Sequence, residues 1–185
     1  ITKWSVDVPF ALKNGCQFFQ PETDSTFEST LYALWMGPRL AWNPKLKPEG
    51  DVAEINTRFY GNAAKEMAAY WDCVDHIWVD TKEYCGAGHG HMKRFTPERL
   101  KKMRELLNAG IARAKTPAEK FRVTMANESL ILFELYMKMR WDLAEGRFAK
   151  LDSDAEAWIG RSHAMAERYR NQYAFSARWY GSGGV

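Results

Sequence analysis

The sequence predicts a mainly α fold: an antiparallel helical bundle preceded by the last strand–helix unit of a (β/α)8 barrel. Three observations carry this. Residues 50–178 repeat apolar positions at helical spacing between cap and glycine signals. The run Cys16-Gln17-Phe18-Phe19 follows an Asn14-Gly15 turn and reads as a short buried strand. That run stops in Gln20-Pro21-Glu22-Thr23-Asp24, and a helix signal follows at once. A buried strand leading into a capped helix is the repeating unit of an α/β barrel, whose ligand pocket opens at the strands' C-terminal ends.

The elements follow in order. Val6-Asp7-Val8-Pro9-Phe10-Ala11-Leu12 reads as short apolar pieces ahead of the turn at Lys13-Asn14-Gly15. Ser25-Thr26-Phe27-Glu28 is a capping box, and Phe27, Leu31, Leu34 and Trp35 recur behind it at helical spacing. Gly37-Pro38 is expected to kink or end that helix, and Asn43-Pro44 with Pro48 to form a linker. After Gly61, a stripe of Ala64, Met67, Trp71, Val74 and Trp78 marks the next helix. Residues 81–95 hold three Gly and two His and read as a long loop.

Thr96-Pro97 starts another helix, with a cap and a proline at its first position. Its stripe is Leu100, Met103, Leu107, Ile111 and Ala114. Thr116-Pro117-Ala118-Glu119 is a second capping box, opening a helix towards Glu145. That helix is apolar around most of its girth, as a central bundle helix is, and Gly146 ends it. Ser153-Asp154-Ala155-Glu156 is a third capping box, and Trp158, Ser162, Met165, Tyr169 and Tyr173 carry the last stripe. Residues 1–43 therefore read as a terminal β/α unit, 50–178 as a helical domain and 179–185 as a flexible tail.

Composition bounds the function. The 185 residues are 46% hydrophobic and 26% charged, which is globular. A net charge of +3, spread along the chain, is too weak and diffuse for a nucleic-acid partner. No stretch reaches the length of a membrane span, so no membrane partner is expected. Three Cys, an odd number, argue against a disulfide framework; Cys16 and Cys73 sit among apolar residues and are expected as buried thiols. The chain does not begin with Met, and Ile1-Thr2-Lys3-Trp4 reads as the middle of something longer. Any signal sequence would lie upstream, which leaves the compartment open; secreted or periplasmic is the expectation for a full-length protein.

The stretches "VDVPFALKNGCQFFQPETDSTFES", "YALWMGPRLAWNP", "RFYGNAAKEMAAYWD" and the TPERL helix resemble the C-terminal region of a bacterial glycoside-hydrolase-like family. It is catalogued as domain of unknown function 4838 and associated with glycoside hydrolase family 163. The resemblance covers most of the chain; "FFQPET" is its most specific part. It implies a catalytic barrel followed by a helical domain, and activity on glycans of the endo-β-N-acetylglucosaminidase type. The partners it implies are a glycan or oligosaccharide substrate and the remainder of the barrel upstream. The acid/base pair would sit on earlier strands, so no catalytic residue is placed here, and no cofactor is expected.

Substrate contacts are expected at Gln20, Glu22, Asp24, Trp4, Tyr84 and His89. Glu22 at a barrel rim would accept hydrogen bonds from sugar hydroxyls; otherwise it serves the turn and the next helix's N-terminus. Asp24, just before the cap, fits that structural role better. Gln20 is either a hydroxyl partner or a rim amide. Tyr84-Cys85-Gly86-Ala87-Gly88-His89-Gly90-His91 is a glycine-rich loop that either folds over the barrel mouth or is a surface connection. Cys85, His89 and His91 match no standard zinc spacing, so no metal is expected. Trp4, Trp35 and Trp42 are candidates for a sugar-stacking wall, with Trp35 fitting a core position better. Glu128 lies in the central helix's apolar stripe, and neither Arg122 nor Arg140 stands four residues from it. Its partner is expected on another helix, which makes it a paired core carboxylate. The competing reading of the whole chain is a non-catalytic dimerisation or scaffold module, hence a homo-oligomer.

Overall fold

The computed structural model describes residues 2–17, 27–80, 90 and 92–170. Among them every regular element is helical and none is a strand: α1 Thr2–Lys13, α2 Phe27–Trp42, α3 Pro48–Tyr60, α4 Ala64–Val79, α5 Pro97–Arg113, α6 Pro117–Ala144 and α7 Phe148–Arg168. Single 3-10 turns stand at Gly61–Ala63 and Met92–Arg94. The mainly α class is therefore borne out. The described residues fall into two compact units, the first made chiefly of residues up to Thr124 and the second of residues from Met125 onward.

The first correction concerns residues 2–17. The short apolar pieces ahead of the turn form α1, because Trp4, Val8 and Leu12 stand four apart and pack one stripe against Met36 and Leu40 of α2. The Asn14-Gly15 signal is real but closes a helix instead of introducing a strand. Gly15 sits at φ 87. Its N–H donates to the Leu12 carbonyl at 3.1 Å, and the Cys16 N–H reaches back to the Ala11 carbonyl at 3.0 Å. That pair of bonds is a Schellman motif. Cys16 and Gln17 belong to no regular element, and Cys16 is exposed where a buried thiol was expected. Cys73 is only half-buried. Phe18 and Phe19, like the box residues Ser25 and Thr26, lie outside the described residues.

Gly37-Pro38 does not end α2, which carries Pro38 inside it and continues to Trp42. Two apolar clusters explain why: Met36 and Leu40 pack with Val8, while Leu31 and Tyr32 pack with Ile55 of α3. Burial on both sides of the proline outweighs the one helix hydrogen bond it removes. Asn43–Lys47 turns the chain into α3, whose Asp51 is buried against the Arg39 guanidinium at 2.6 Å.

Between α3 and α4 the chain bends at Gly61, φ 52, and runs through one 3-10 turn. The deepest side chains of α4 are Met67, Tyr70 and Ile77; Trp71, Val74 and Trp78 flank them half-buried. α4 and α5 make the most extensive contact between described elements. Gly110 lies in that contact, where the expected stripe had Ile111. A Cβ on Gly110 would stand 2.7 Å from Met67 Sδ, whereas Ile111 is exposed. The caps of α5 and α6 form as expected. Thr96 Oγ1 accepts from the Arg99 N–H at 3.3 Å. Thr116 Oγ1 accepts from the Glu119 N–H at 3.2 Å, and Glu119 Oε2 accepts from the Thr116 N–H at 3.1 Å.

In the second unit α6 and α7 form an antiparallel hairpin. Glu128 pairs with Arg168, and Lys138 with Asp154 at 2.7 Å. At the closed end Asp142 meets Arg147 at 2.6 Å. Gly146, φ 71, closes α6 as expected, through a second Schellman pair: Gly146 N–H to the Leu143 carbonyl at 3.2 Å and Arg147 N–H to the Asp142 carbonyl at 2.8 Å. Met125, Leu132, Met165 and Tyr169 form the core, with Trp158 against them. The third capping box is corrected. α7 begins at Phe148, so Ser153 lies inside the helix, and Asp154 turns inward to Lys138.

Candidate functional site

Of the six residues expected to contact substrate, Gln20, Glu22, Asp24, Tyr84 and His89 lie outside the described residues. Trp4 is described. It sits in the first turns of α1, half-buried, against the Val8–Met36–Leu40 cluster. With Val8, Ala11, Leu12 and Cys16 it lines an open apolar hollow of about 410 Å³, with Lys3 and Asp7 at the edge. Around the same helix Val6 and Phe10 are 62% and 67% exposed.

The three tryptophans do not make one wall. Trp35 belongs to the core, between the two clusters of the first unit. The Arg39 guanidinium covers it 4.6 Å from the ring centroid, and its Nε1 is buried without a hydrogen-bond partner. Arg39 is itself held by Asp51 and by Glu54, the latter at 3.0 Å. Trp42, at the end of α2, is 92% exposed and stands over a shallow shelf formed with Pro38, Arg39, Asn43 and Leu46. A large apolar side chain left in water loses the favourable term that burial would give.

Elsewhere the charged groups are engaged structurally. Glu119 accepts from the Asn62 N–H at 3.0 Å, the Lys115 N–H at 2.8 Å and the Thr116 N–H. These donors hold its carboxyl down at about 2, against an ordinary 4.5. Burial raises the Asp142 carboxyl, but the Arg147 guanidinium prevails and keeps it below the usual carboxylate range. Glu128 has its partner on another helix, Arg168, as expected. None of these is free for proton transfer. Among the described residues no group of three or more His, Cys, Asp or Glu is gathered to hold a metal, and no helix is long and apolar enough to cross a membrane.

The sequence reading missed Val6 and Phe10 because it took their segment only as short apolar pieces ahead of a turn. The signal was present in the four-residue spacing of Trp4, Val8 and Leu12. Comparison of the chain with protein-family models, with curated proteins and with solved structures finds no match. What the described geometry offers is uncovered apolar surface on α1, at the end of α2 and, in the second unit, at Leu143, Phe148 and Ile159.

Proposed function

We propose that the chain is the C-terminal portion of a glycoside hydrolase acting on glycans, of the endo-β-N-acetylglucosaminidase type implied by the resemblance of "FFQPET" and "RFYGNAA". In this reading residues 1–43 complete a catalytic (β/α)8 barrel contributed mostly by upstream chain, and the helices from α3 onward pack as a domain beside it. The observation that supports it is uncovered apolar surface on the first two helices. Val6, Phe10 and Trp42 are exposed within residues 1–43, as Leu143, Phe148 and Ile159 are in the second unit. A barrel would cover the first three.

The test is hydrolysis. A longer protein carrying the upstream barrel is expected to release oligosaccharide from an N-glycan with a chitobiose core, and the 185-residue chain to release none. Glu22→Gln in the longer protein is expected to lower turnover. A folded long protein inert on such glycans removes the hydrolase reading; unchanged turnover in Glu22→Gln removes Glu22 from the site. The same uncovered surface also suits a second copy of the chain, which is the scaffold reading. Sedimentation separates the two. A dimer that Phe10→Ser breaks supports the scaffold, and a monomer at all concentrations supports the barrel.

A further inference from the structure

The first unit contains a second cavity, of about 410 Å³, which the glycan reading does not use. Ser5 of α1, Tyr32 of α2, Glu49 and Asn56 of α3, and Trp71 and Asp72 of α4 line it. Its volume suits a ligand of modest size. Among the described residues no Lys or Arg lines it, which disfavours an anion.

The hydrogen-bond inventory narrows the ligand further. Tyr32 OH donates to Asn56 Oδ1 at 2.6 Å, and Asn56 Nδ2 to the Val52 carbonyl at 2.9 Å. Trp71 Nε1–H donates to Tyr60 OH at 2.8 Å, and Ser5 Oγ to the Thr2 carbonyl at 2.7 Å. Apart from the second Asn56 Nδ2 proton, these donors are directed to internal acceptors. What remains is aromatic carbon, carboxylate oxygen and that one amide proton. Asp75 also lines the cavity, but it accepts from the Thr2 N–H and hydroxyl and is not counted. Glu49 and Asp72 are exposed on the rim. A neutral polyol needs donors as well as acceptors from its site. An alkylammonium needs only acceptors for its N–H groups and an apolar or aromatic wall for its chain.

We propose that this cavity binds a small organic cation of the primary alkylammonium class, its chain against Trp71 and Tyr32 and its charged head between Glu49 and Asp72. The His76 Nδ1 stands 3.4 Å from an Asp72 carboxylate oxygen, so a protonated imidazole competes for that charge. The proposal does not rest on the glycan reading.

The test is a titration of the intact chain with n-butylammonium chloride at about pH 8, where the amine is charged. Ionic strength is held constant, and the side-chain N–H signals of Trp71 and Asn56 are followed by NMR. Saturable shifts are expected with n-butylammonium and not with n-butanol or methyl β-glucopyranoside. The double variant Glu49→Gln/Asp72→Asn changes only exposed side chains, so it keeps the fold; it is expected to weaken binding about tenfold or more. Absence of saturation with the ammonium overturns the proposal. So does equal binding of n-butanol, which would mean an apolar cleft only. Preferential binding of the glycoside, or unchanged affinity in the double variant, overturns it too.

Discussion

Gly61 and Glu119 stand so close that no side chain fits between them: a Cβ built on Gly61 would lie 2.1 Å from Glu119 Oε1. The glycine sits at φ 52, which L side chains rarely adopt, and the carboxylate occupies the space a side chain would need. The motif "FYG" thus has a physical reason for its glycine at this position.

Gly61→Ala is therefore expected to destabilise the chain by about 3 kcal/mol, combining backbone strain with displacement of a carboxylate that holds several donors. Gly110→Ala provides the contrast. Its added methyl would also meet an atom, Met67 Sδ, at 2.7 Å, but that atom is on a flexible thioether. The helix gains about 1 kcal/mol from replacing glycine, which roughly offsets the repacking. Urea unfolding of both variants decides this; similar losses would contradict it.

Glu119 also sets an acid limit. Its folded carboxyl titrates near 2, well below its ordinary 4.5. A depressed pKa contributes stability that is fully present above the ordinary value and is lost as pH falls from about 4.5 towards 2. The wild-type melting temperature is expected to fall through that window more steeply than that of Glu119→Gln. The two curves should lie far apart at neutral pH and converge near pH 2. Parallel curves would show that the carboxylate carries no such linkage.

Asp142 follows the same sign in the second unit. The Arg147 guanidinium holds it below its ordinary 3.8, so its contribution is present at neutral pH and declines as pH falls below that value. Arg147→Leu leaves the carboxylate buried without its cation. Its titration, followed by carboxyl NMR, is expected to move upward, with the Asp154 hydrogen bond and the Lys138 charge still opposing burial. An unmoved titration would show that Arg147 is not what holds it down.

Tyr60→Phe removes the oxygen that accepts the Trp71 indole proton at 2.8 Å and leaves that part-buried donor unpaired. A loss of about 1–3 kcal/mol is expected in denaturant unfolding. Adding Trp71→Phe should cost less in the Tyr60→Phe background than in the wild type, because the donor disappears with it.

The helices were legible wherever a local device states the boundary. Thr96-Pro97, the Thr116–Glu119 box and Gly146 each act within four residues, and each forms as the sequence indicates. Failures came where two local codes coincide. Asn14-Gly15 can turn a hairpin or close a helix, and only the packing of Val8 against Met36 decides which. Ser153 carried a capping pattern, yet the turn at Gly146 had already started the helix five residues earlier. Long-range choices were harder still. The spacing of α5 points equally to Gly110 and Ile111, and the approach of Met67 selects the glycine. Of the expected substrate contacts only Trp4 is among the described residues; it lies in an apolar hollow with Val8, Leu12 and Cys16.

The bond from Glu119 to Asn62 spans 57 residues of chain. Closing so large a loop costs entropy that α4 and α5 do not recover by folding locally. The carboxylate should therefore settle into place after the rate-limiting step of assembly. Removing it would then leave the refolding limb of a chevron nearly unchanged and steepen escape from the native basin, so Glu119 governs how long the fold persists more than how fast it arises.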